Sequence, residues 1–301
     1  MQRSDRTTVL TAFNQEEWDR FGITWLASLR DLAKYHGDVC IISDGLNEKV
    51  TRFLGTHNVR LVPVERKFKE PKLNHFCTAM QAAGDLSAYW DHSFYFQADL
   101  GELFEIASDT IVAATASSPL PTFRNSLEGF GFKDACSLAP SVMRSTLLNI
   151  ARRNGTRLQG QFVAGRKDAL NFLGRFVEFH SKWGYVSESP HAVDLSLNLF
   201  YSANLGSFTI DSRWSDLVDA QWTWLDGFYE DDSLVKVVSF PPGQVYSAVC
   251  ARFHFVNAYR ELHTAWLARY RDQFSMPRLL FTRMKKEPPN EKAPVQVRQG
   301  E

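Results

Sequence analysis

Asp99 is the residue whose surroundings in the sequence point most directly to chemistry. It follows the aromatic run Phe94-Tyr95-Phe96-Gln97-Ala98 and precedes Leu100-Gly101. Such a run is typical of a buried strand that ends in a loop, and functional groups of α/β sheets gather at that end of a strand. A carboxylate in that position can bind a divalent ion, which in turn can bind a diphosphate. The alternative is that Asp99 only caps the next helical turn.

Other candidate residues lie at the ends of predicted elements. Asp44 ends a predicted strand, where it either contacts a ribose or base or forms a turn before Gly45. Asp194 begins a predicted helix, either as its cap or as a carboxylate directed at a sugar. His254 can complete a metal shell or be a core histidine, and Arg260 can clamp phosphate oxygens or lie on a solvated helix face.

The elements that must position these residues alternate in type from the start of the chain. Strands are predicted at 8–13, 38–43 and 59–64, and helices at 21–35 and 47–55. This β-α-β-α-β order predicts a parallel, doubly wound sheet. Further helices are predicted at 73–83, 85–90, 141–153, 168–183, 194–201 and 258–274. Further strands are predicted at 109–114, 161–165, 208–210 and 234–240.

Composition places the chain among soluble globular proteins. Its 301 residues are 44% hydrophobic and 23% charged, and 34 basic residues balance 34 acidic ones. Zero net charge gives no support for a nucleic-acid partner. No segment approaches the ~20 apolar residues of a membrane span, although the helix at 258–274 leaves peripheral membrane contact open. Four cysteines without a CxxC pair, and a polar N-terminal segment, predict a cytoplasmic location.

The predicted organisation is one compact α/β domain at 1–284 and a charged, proline-rich, disordered tail at 285–301. Within the domain, residues 8–115 form a nucleotide-binding half and residues 116–284 an acceptor-side half. The sequence contains no GxxxxGK[ST] loop, and no GxGxxG follows the first strand. These absences argue against a P-loop and against a Rossmann dinucleotide site.

Four motifs, taken in order, resemble those of GT-A-fold glycosyltransferases that use nucleotide sugars, in particular the family-8-like branch. They are Gln97-Ala98-Asp99 at the position of the DxD motif, the glycine segment Gly160–Gly165, the helix Asp194–Asn198, and His254–Asn257. Because the DxD motif ends the central strand in that family, the resemblance implies that the run Phe94–Phe96 is the central strand. The resemblance spans about residues 8–270 and implies a Rossmann-type, mostly parallel central sheet flanked by helices. Two residues depart from the pattern: Gln97 replaces the first carboxylate, and Leu195 stands where glutamine is common.

The resemblance implies transfer of a hexosyl or related sugar from a nucleoside-diphosphate sugar to a carbohydrate, lipid-linked or other hydroxyl acceptor. It implies that Asp99 and His254 hold Mn²⁺ or Mg²⁺, and that Asp99 and Asp194 are catalytic. The donor-binding residues that it implies are Ala12, Phe13, Asp44, Gln97, Gly165 and Arg260.

Gln97 leaves the requirement for a metal open, because an amide is a poor ligand for a divalent ion. One alternative is a metal site with two protein ligands, Asp99 and His254, instead of three. A second is a metal-free enzyme whose basic residues neutralise the diphosphate, with Arg66, Lys72, Arg166 and Arg260 as candidates. The third is a catalytically inactive GT-A-like binding or scaffolding module.

Overall fold

A seven-stranded sheet organises the computed structural model, which describes residues 6–115, 158–182, 192–217, 223–224, 228–230, 233–234 and 236–239. The strands are β1 Thr7–Asn14, β2 Asp38–Asp44, β3 Val59–Pro63, β4 Leu86–Trp90, β5 Phe94–Phe96, β6 Ile111–Thr115, β7 Leu158–Arg166, β8 Phe208–Ile210, β9 Asp216–Leu217, β10 Thr223–Trp224, β11 Phe228–Glu230, β12 Ser233–Leu234 and β13 Val237–Ser239. The seven-stranded sheet has the order β3-β2-β1-β4-β7-β6-β8.

Most neighbours in this sheet are parallel, which confirms the predicted topology. Strands β3, β2, β1 and β4 pair in parallel, as do β6 and β8, whereas β7 pairs antiparallel with β4 and β6. The chain adds β2 and β3 on one side of β1 and then places β4 on the other side. The strand order therefore reverses between β1 and β4, and ligands of open α/β sheets bind outside the carboxyl ends of the strands at such a switch point.

Helices cover both faces of the sheet. A helical segment, α1, runs through Gln15–Glu17, Trp18–Gly22, Ile23–Ala27 and Ser28–Leu32. The other helices are α2 Glu48–Thr56, α3 Pro71–Gln81, α4 Gly101–Ala107, α5 Lys167–Ser181 and α6 Ala192–Ala203. The first helix begins six residues before its predicted start at Phe21, because Asn14 and Glu17 form a reciprocal capping box that starts it directly after β1.

Two hydrophobic cores result from the alternation of side chains along β1. Val9 and Phe13 belong to one core, and Leu10 and Ala12 to the other. The first core contains side chains of α1, α2 and α4, and the second contains those of α3, α5 and α6. Because both faces of β1 are covered, apolar residues occur at both even and odd positions of the strand instead of alternating with charged ones.

The prediction of a helix at 85–90 was wrong, because these residues form the central strand β4. Every residue from Leu86 to Trp90 is buried. A strand buried on both faces shows no polar alternation, and so short a run does not separate a period of 2 from one of 3.6.

The aromatic run before Asp99 is a strand, but not one of the central sheet. Strand β5 pairs antiparallel with β13 in a separate three-stranded sheet of order β5-β13-β9. The predicted strand at 234–240 is also divided, since β12 and β13 belong to different sheets. The placement of Phe94–Phe96 as the central strand was therefore wrong.

The described residues form a single α/β domain. The predicted helices at 141–153 and 258–274, the domain end at 284 and the tail at 285–301 lie outside them. No helix in the described part of the chain is long and apolar enough to cross a membrane.

Candidate functional site

The switch point between β1 and β4 collects polar residues at the carboxyl ends of both strands. Strand β1 ends at Asn14, and β4 ends at Trp90 and is followed directly by Asp91 and His92. The neighbouring strand β2 ends at Asp44, which lies opposite Asn14 in the sheet register. We take this edge of β2, β1 and β4 as the candidate site.

Asp91 is a buried carboxylate with three donors around it. Its Oδ1 accepts a hydrogen bond from the backbone N–H of His92 at 2.7 Å and lies 2.7 Å from His92 Nδ1. Its Oδ2 lies 3.8 Å from Lys72 Nζ. The backbone N–H of Asp91 donates to the carbonyl of Gln161 at 2.9 Å, which extends the β4–β7 pairing by one residue and fixes the direction of the strand end.

Asp91 and His92 shift each other's pKa in the directions that favour a charged pair. Burial opposes ionisation of Asp91, but the charge and hydrogen bonds of His92, with the charge of Lys72, hold its pKa well below the ordinary 3.8. Burial likewise opposes protonation of His92, but Asp91 and then Glu17 raise the pKa of the imidazole above 6.5. Glu17 Oε1 lies 3.6 Å from His92 Nδ1 and is held there by the capping box with Asn14.

Asp44 forms a second carboxylate-centred group at the end of β2. Its Oδ1 accepts from Arg66 Nη2 at 2.5 Å, and its Oδ2 lies 3.0 Å from His75 Nε2. Burial raises the pKa of Asp44, but the hydrogen bonds and charges of Arg66 and His75 outweigh it and lower the pKa below 3.8. Gly45 follows with φ of 81°, a left-handed conformation that lets the chain turn away directly after the carboxylate.

Helix α3 supplies one member of each group. Lys72 and His75 are three residues apart, so they lie on the same helix face. The buried side chain of Asn74 accepts from the backbone N–H groups of Lys67 and Phe68, at 2.8 and 2.9 Å, and so ties the preceding loop that carries Arg66 to the helix. The helix therefore positions both groups together.

We call these the Asp44 group (Asp44, His75, Arg66) and the Asp91 group (Asp91, His92, Lys72). In each, a carboxylate whose side chain is mostly covered contacts a histidine and an exposed cation. The carboxylate side chains are 15% and 12% exposed, whereas those of Arg66 and Lys72 are 74% and 54% exposed. Exposed cations on fixed carboxylates at a strand edge are suited to binding an anion.

Asp194 is brought to the same edge of the sheet. Its Oδ1 accepts from the backbone N–H of Gly160 at 2.6 Å, and Gly160 precedes the Gln161 whose carbonyl holds Asp91. The side chain of Asn198 binds both the N–H and the carbonyl of Leu158, at 2.9 and 2.8 Å. These bonds attach α6 to the amino end of β7, which lies beside Asp91.

Other predicted donor residues have different positions. The side chains of Ala12 and Phe13 are buried in the two cores, and the Phe13 ring packs against Trp18 and Trp25. Gly165 lies opposite Ser87 near the start of β4, three residues before the Trp90 end, and so the structure does not bring it to the edge that carries Asp91.

Asp99 lies at the start of α4, where its Oδ1 accepts from the backbone N–H of Gly101 at 2.7 Å. The backbone N–H of Gln97 donates to the carbonyl of Lys236, which belongs to the small sheet of β5 and β13. The end of the central strand, the position that Asp99 was predicted to occupy, belongs to Asp91. The catalytic and metal-binding roles of Asp99 stay predictions, as do those of His254 and Arg260, which lie outside the described residues.

A divalent cation does not fit the Asp91 group. Each carboxylate oxygen already faces a donor or a cation, and Lys72 Nζ at 3.8 Å would repel a metal ion. Across the described residues, no three or more histidine, cysteine or acidic side chains cluster in a way that could hold a metal.

Sequence reasoning missed Asp91, His92 and His75. One sequence signal could have located Asp91 and His92. The turn Gly84-Asp85 precedes Leu86–Trp90, an apolar, aromatic run that ends directly before the carboxylate of Asp91. Arg66 and Lys72, two of the predicted candidates for neutralising the diphosphate, lie at this edge. Arg166, another candidate, donates to the carbonyl of Ser108 at the opposite end of β7.

The fold is that of solved glycosyltransferases. The structure matches the galactosyltransferase LgtC in complex with donor and acceptor sugar analogs, with a TM-score of 0.54 and 11% identity over 89% of this chain and 100% of that one. An active-site mutant of LgtC gives a TM-score of 0.55 at the same identity and coverage.

The bifunctional glycosyltransferase WbbM matches with a TM-score of 0.52 and 11% identity over 91% of this chain and 52% of WbbM, so this chain spans about half the length of WbbM. No family model matches the sequence, and no curated protein matches it. The chain therefore has the GT-A fold, a conclusion that rests on structure alone.

Proposed function

We propose that this protein is a glycosyltransferase that moves a hexosyl or related sugar from a nucleoside-diphosphate sugar to a hydroxyl acceptor. The observation that supports it is the pair of Asp–His–cation groups at the switch point of a GT-A sheet. Strands β2 and β4 flank β1, so their ends lie two strand spacings, or about 10 Å, apart. A nucleoside diphosphate is long enough to reach both groups.

In this reaction the bond between the anomeric carbon and the diphosphate oxygen breaks, and its electron pair leaves with the diphosphate. The acceptor oxygen bonds to the anomeric carbon and gives its proton to a base. We propose Asp194 as that base, or as a ligand of the donor hydroxyls, because its attachment to Gly160 places it at the same edge as Asp91. The cations at the edge stabilise the charge that develops on the diphosphate.

The finer assignments remain proposals. They include donor contacts from Ala12, Phe13, Gln97, Gly165 and Arg260, and a carbohydrate, lipid-linked or other hydroxyl acceptor. Mn²⁺ or Mg²⁺ held by Asp99 and His254 is the alternative to neutralisation of the diphosphate by basic residues. A cytoplasmic location is proposed on cysteine usage, since Cys40 and Cys77 are buried free thiols.

A catalytically inactive binding module is the second candidate. It is favoured by the absence of a second carboxylate in Gln97-Ala98-Asp99, and by the engagement of Asp91 with the protein's own groups. Such a module would bind a nucleotide sugar without releasing nucleotide.

The test is a screen of the purified full chain against common nucleotide sugars, with released nucleoside diphosphate as the readout. We expect slow donor hydrolysis with one nucleotide class, faster release with an acceptor, and loss of both in Asp194→Asn. Asp168→Asn, an exposed carboxylate at the other end of β7, is the matched control and should keep full turnover. Donor binding without release would select the inactive module, and binding of no donor would refute both functions.

A further inference from the structure

The Asp44 and Asp91 groups share one design at neighbouring strand ends. In each, one side of the carboxylate is bound by a histidine at 3.0 or 2.7 Å and the other faces an exposed cation at 2.5 or 3.8 Å. The histidines are enclosed, since the side chains of His75 and His92 are 6% and 16% exposed. The two cations, Arg66 and Lys72, belong to one continuous segment of the chain that leads into α3.

This arrangement separates the fixed charge from the movable one. When an anion draws Lys72 away from Asp91, His92 remains bound to the carboxylate and compensates it. The same holds for Arg66, since His75 stays on Asp44. The long, exposed side chains of Arg66 and Lys72 can therefore turn to a ligand while each carboxylate keeps its histidine, which avoids leaving the buried Asp91 unpaired.

A divalent cation would act against the same geometry. Even after Lys72 turns away, His92 still occupies Oδ1 of Asp91 and leaves only Oδ2 for the ion, whereas hard cations require several oxygen ligands. The described residues around Asp91 offer one further carboxylate, Glu17, whose Oε2 already accepts from the N–H of Asn14 at 2.8 Å.

We infer that Lys72 and Arg66 neutralise the diphosphate of the donor in place of a divalent cation. This inference rests on the proposed function and specifies how its site works. Arg66 presents a planar fork that can bind two phosphate oxygens, and Lys72 provides a point charge beside the leaving oxygen. Asp44 and Asp91 are positioning residues that hold these cations at the rim in the absence of ligand.

The experiment is isothermal titration calorimetry of the full chain with UDP, GDP, ADP and CDP, each in EDTA and in Mn²⁺. We expect one diphosphate to bind in EDTA with an affinity within about threefold of its affinity in Mn²⁺. Inorganic pyrophosphate should compete with it, because the cations contact the phosphates.

Variants locate the binding charges. Lys72→Ala and Arg66→Ala should each weaken binding in EDTA about tenfold to hundredfold, the range for losing one charge-assisted hydrogen bond. Lys72→Arg should restore most of the affinity. The controls are Lys167→Ala and Arg60→Ala, exposed cations toward the opposite, amino ends of β4 and β3, which should bind as the unmodified chain does.

Three results would overturn the inference while leaving the proposed function standing. They are binding that requires Mn²⁺, Lys72 and Arg66 variants that bind like the controls, and loss of Mn²⁺-dependent binding in Asp99→Asn. Absence of binding to every diphosphate in both buffers would overturn the proposed function as well. Thermal melting of each variant checks folding, and these exposed substitutions should leave the melting temperature nearly unchanged.

Discussion

The Asp91–His92 pair should stabilise the fold measurably, and its contribution should depend on pH. The perturbation is a double-mutant cycle of Asp91→Asn, His92→Gln and the double variant. Because the carboxylate is buried and bound by the imidazole at 2.7 Å, we expect a coupling energy of about 1.5–3 kcal/mol, the range for a hydrogen bond between charged groups. Asp91→Asn alone should cost about 2–4 kcal/mol, since it leaves the enclosed His92 without its counter-ion.

The pH window follows from the two pKa shifts. The lowered pKa of Asp91 gives stability that is present above the unfolded value of 3.8 and is lost as pH falls through the lower folded pKa. The raised pKa of His92 gives stability that is complete below 6.5 and is lost as pH rises through the higher folded pKa. The coupling energy should therefore be greatest between pH 3.8 and 6.5 and decline on the alkaline side.

The assay is urea denaturation followed by tryptophan fluorescence at several pH values between 4 and 9. The control cycle uses Glu48→Gln and Arg52→Gln, an i,i+4 pair with side chains 80% and 77% exposed. That pair should couple by about 0.3–0.5 kcal/mol. A coupling between Asp91 and His92 no larger than that of the control, or one that grows toward pH 9, would refute the reasoning.

The packing and titration of other residues give further predictions. Gly160→Ala should destabilise the chain by about 1–3 kcal/mol in urea, because a Cβ there would meet Val193 Cγ1 at 2.6 Å, whereas Gly55→Ala has nothing within 4 Å and should be neutral or stabilising; equal effects would contradict this. Trp90→Phe removes the Nε1 bond to the Trp214 carbonyl at 2.8 Å and should cost about 1–3 kcal/mol of unfolding free energy, and a cost below about 0.5 kcal/mol would argue against that bond. Burial lowers the pKa of His180 to about 4, so stability should fall by roughly 3 kcal/mol as pH drops from 6.5 to 4; His180→Gln should flatten that slope, and an unchanged slope would exclude His180 as its source.

The strands and helices in the first half of the sheet could be predicted from the sequence, because each strand there differs from its flanking helices in the spacing of its apolar residues. Residues 8–13 and 38–43 are short runs dominated by apolar side chains, and the amphipathic helix at 47–55 lies between strands of similar length. The strand at 161–165 and the helix at 168–183 were also confirmed, as β7 and α5. Period and punctuation decide such elements locally, without knowledge of tertiary contacts.

The central strand was missed because its identity depends on tertiary contacts. Leu86–Trp90 and Phe94–Phe96 are two short, aromatic, fully buried runs separated by three residues. Nothing in their composition shows which one pairs with β1. That choice is made by partners distant in sequence, namely Thr7–Leu10 for the first run and Val237–Ser239 for the second.

The position of the central strand determines which residues the site contains. With Phe94–Phe96 as that strand, the carboxylate at its end is Asp99, and the departure from a DxD motif is the single residue Gln97. With Leu86–Trp90 as that strand, the carboxylate is Asp91, and the residue beside it is His92, whose Nδ1 lies 2.7 Å from Asp91 and whose pKa is raised. With Lys72 Nζ 3.8 Å from the same carboxylate, we propose that this site favours a phosphate over a metal ion. Helix α3 carries both Lys72 and His75, so in this proposal one extended anion engages the two groups through the same helix.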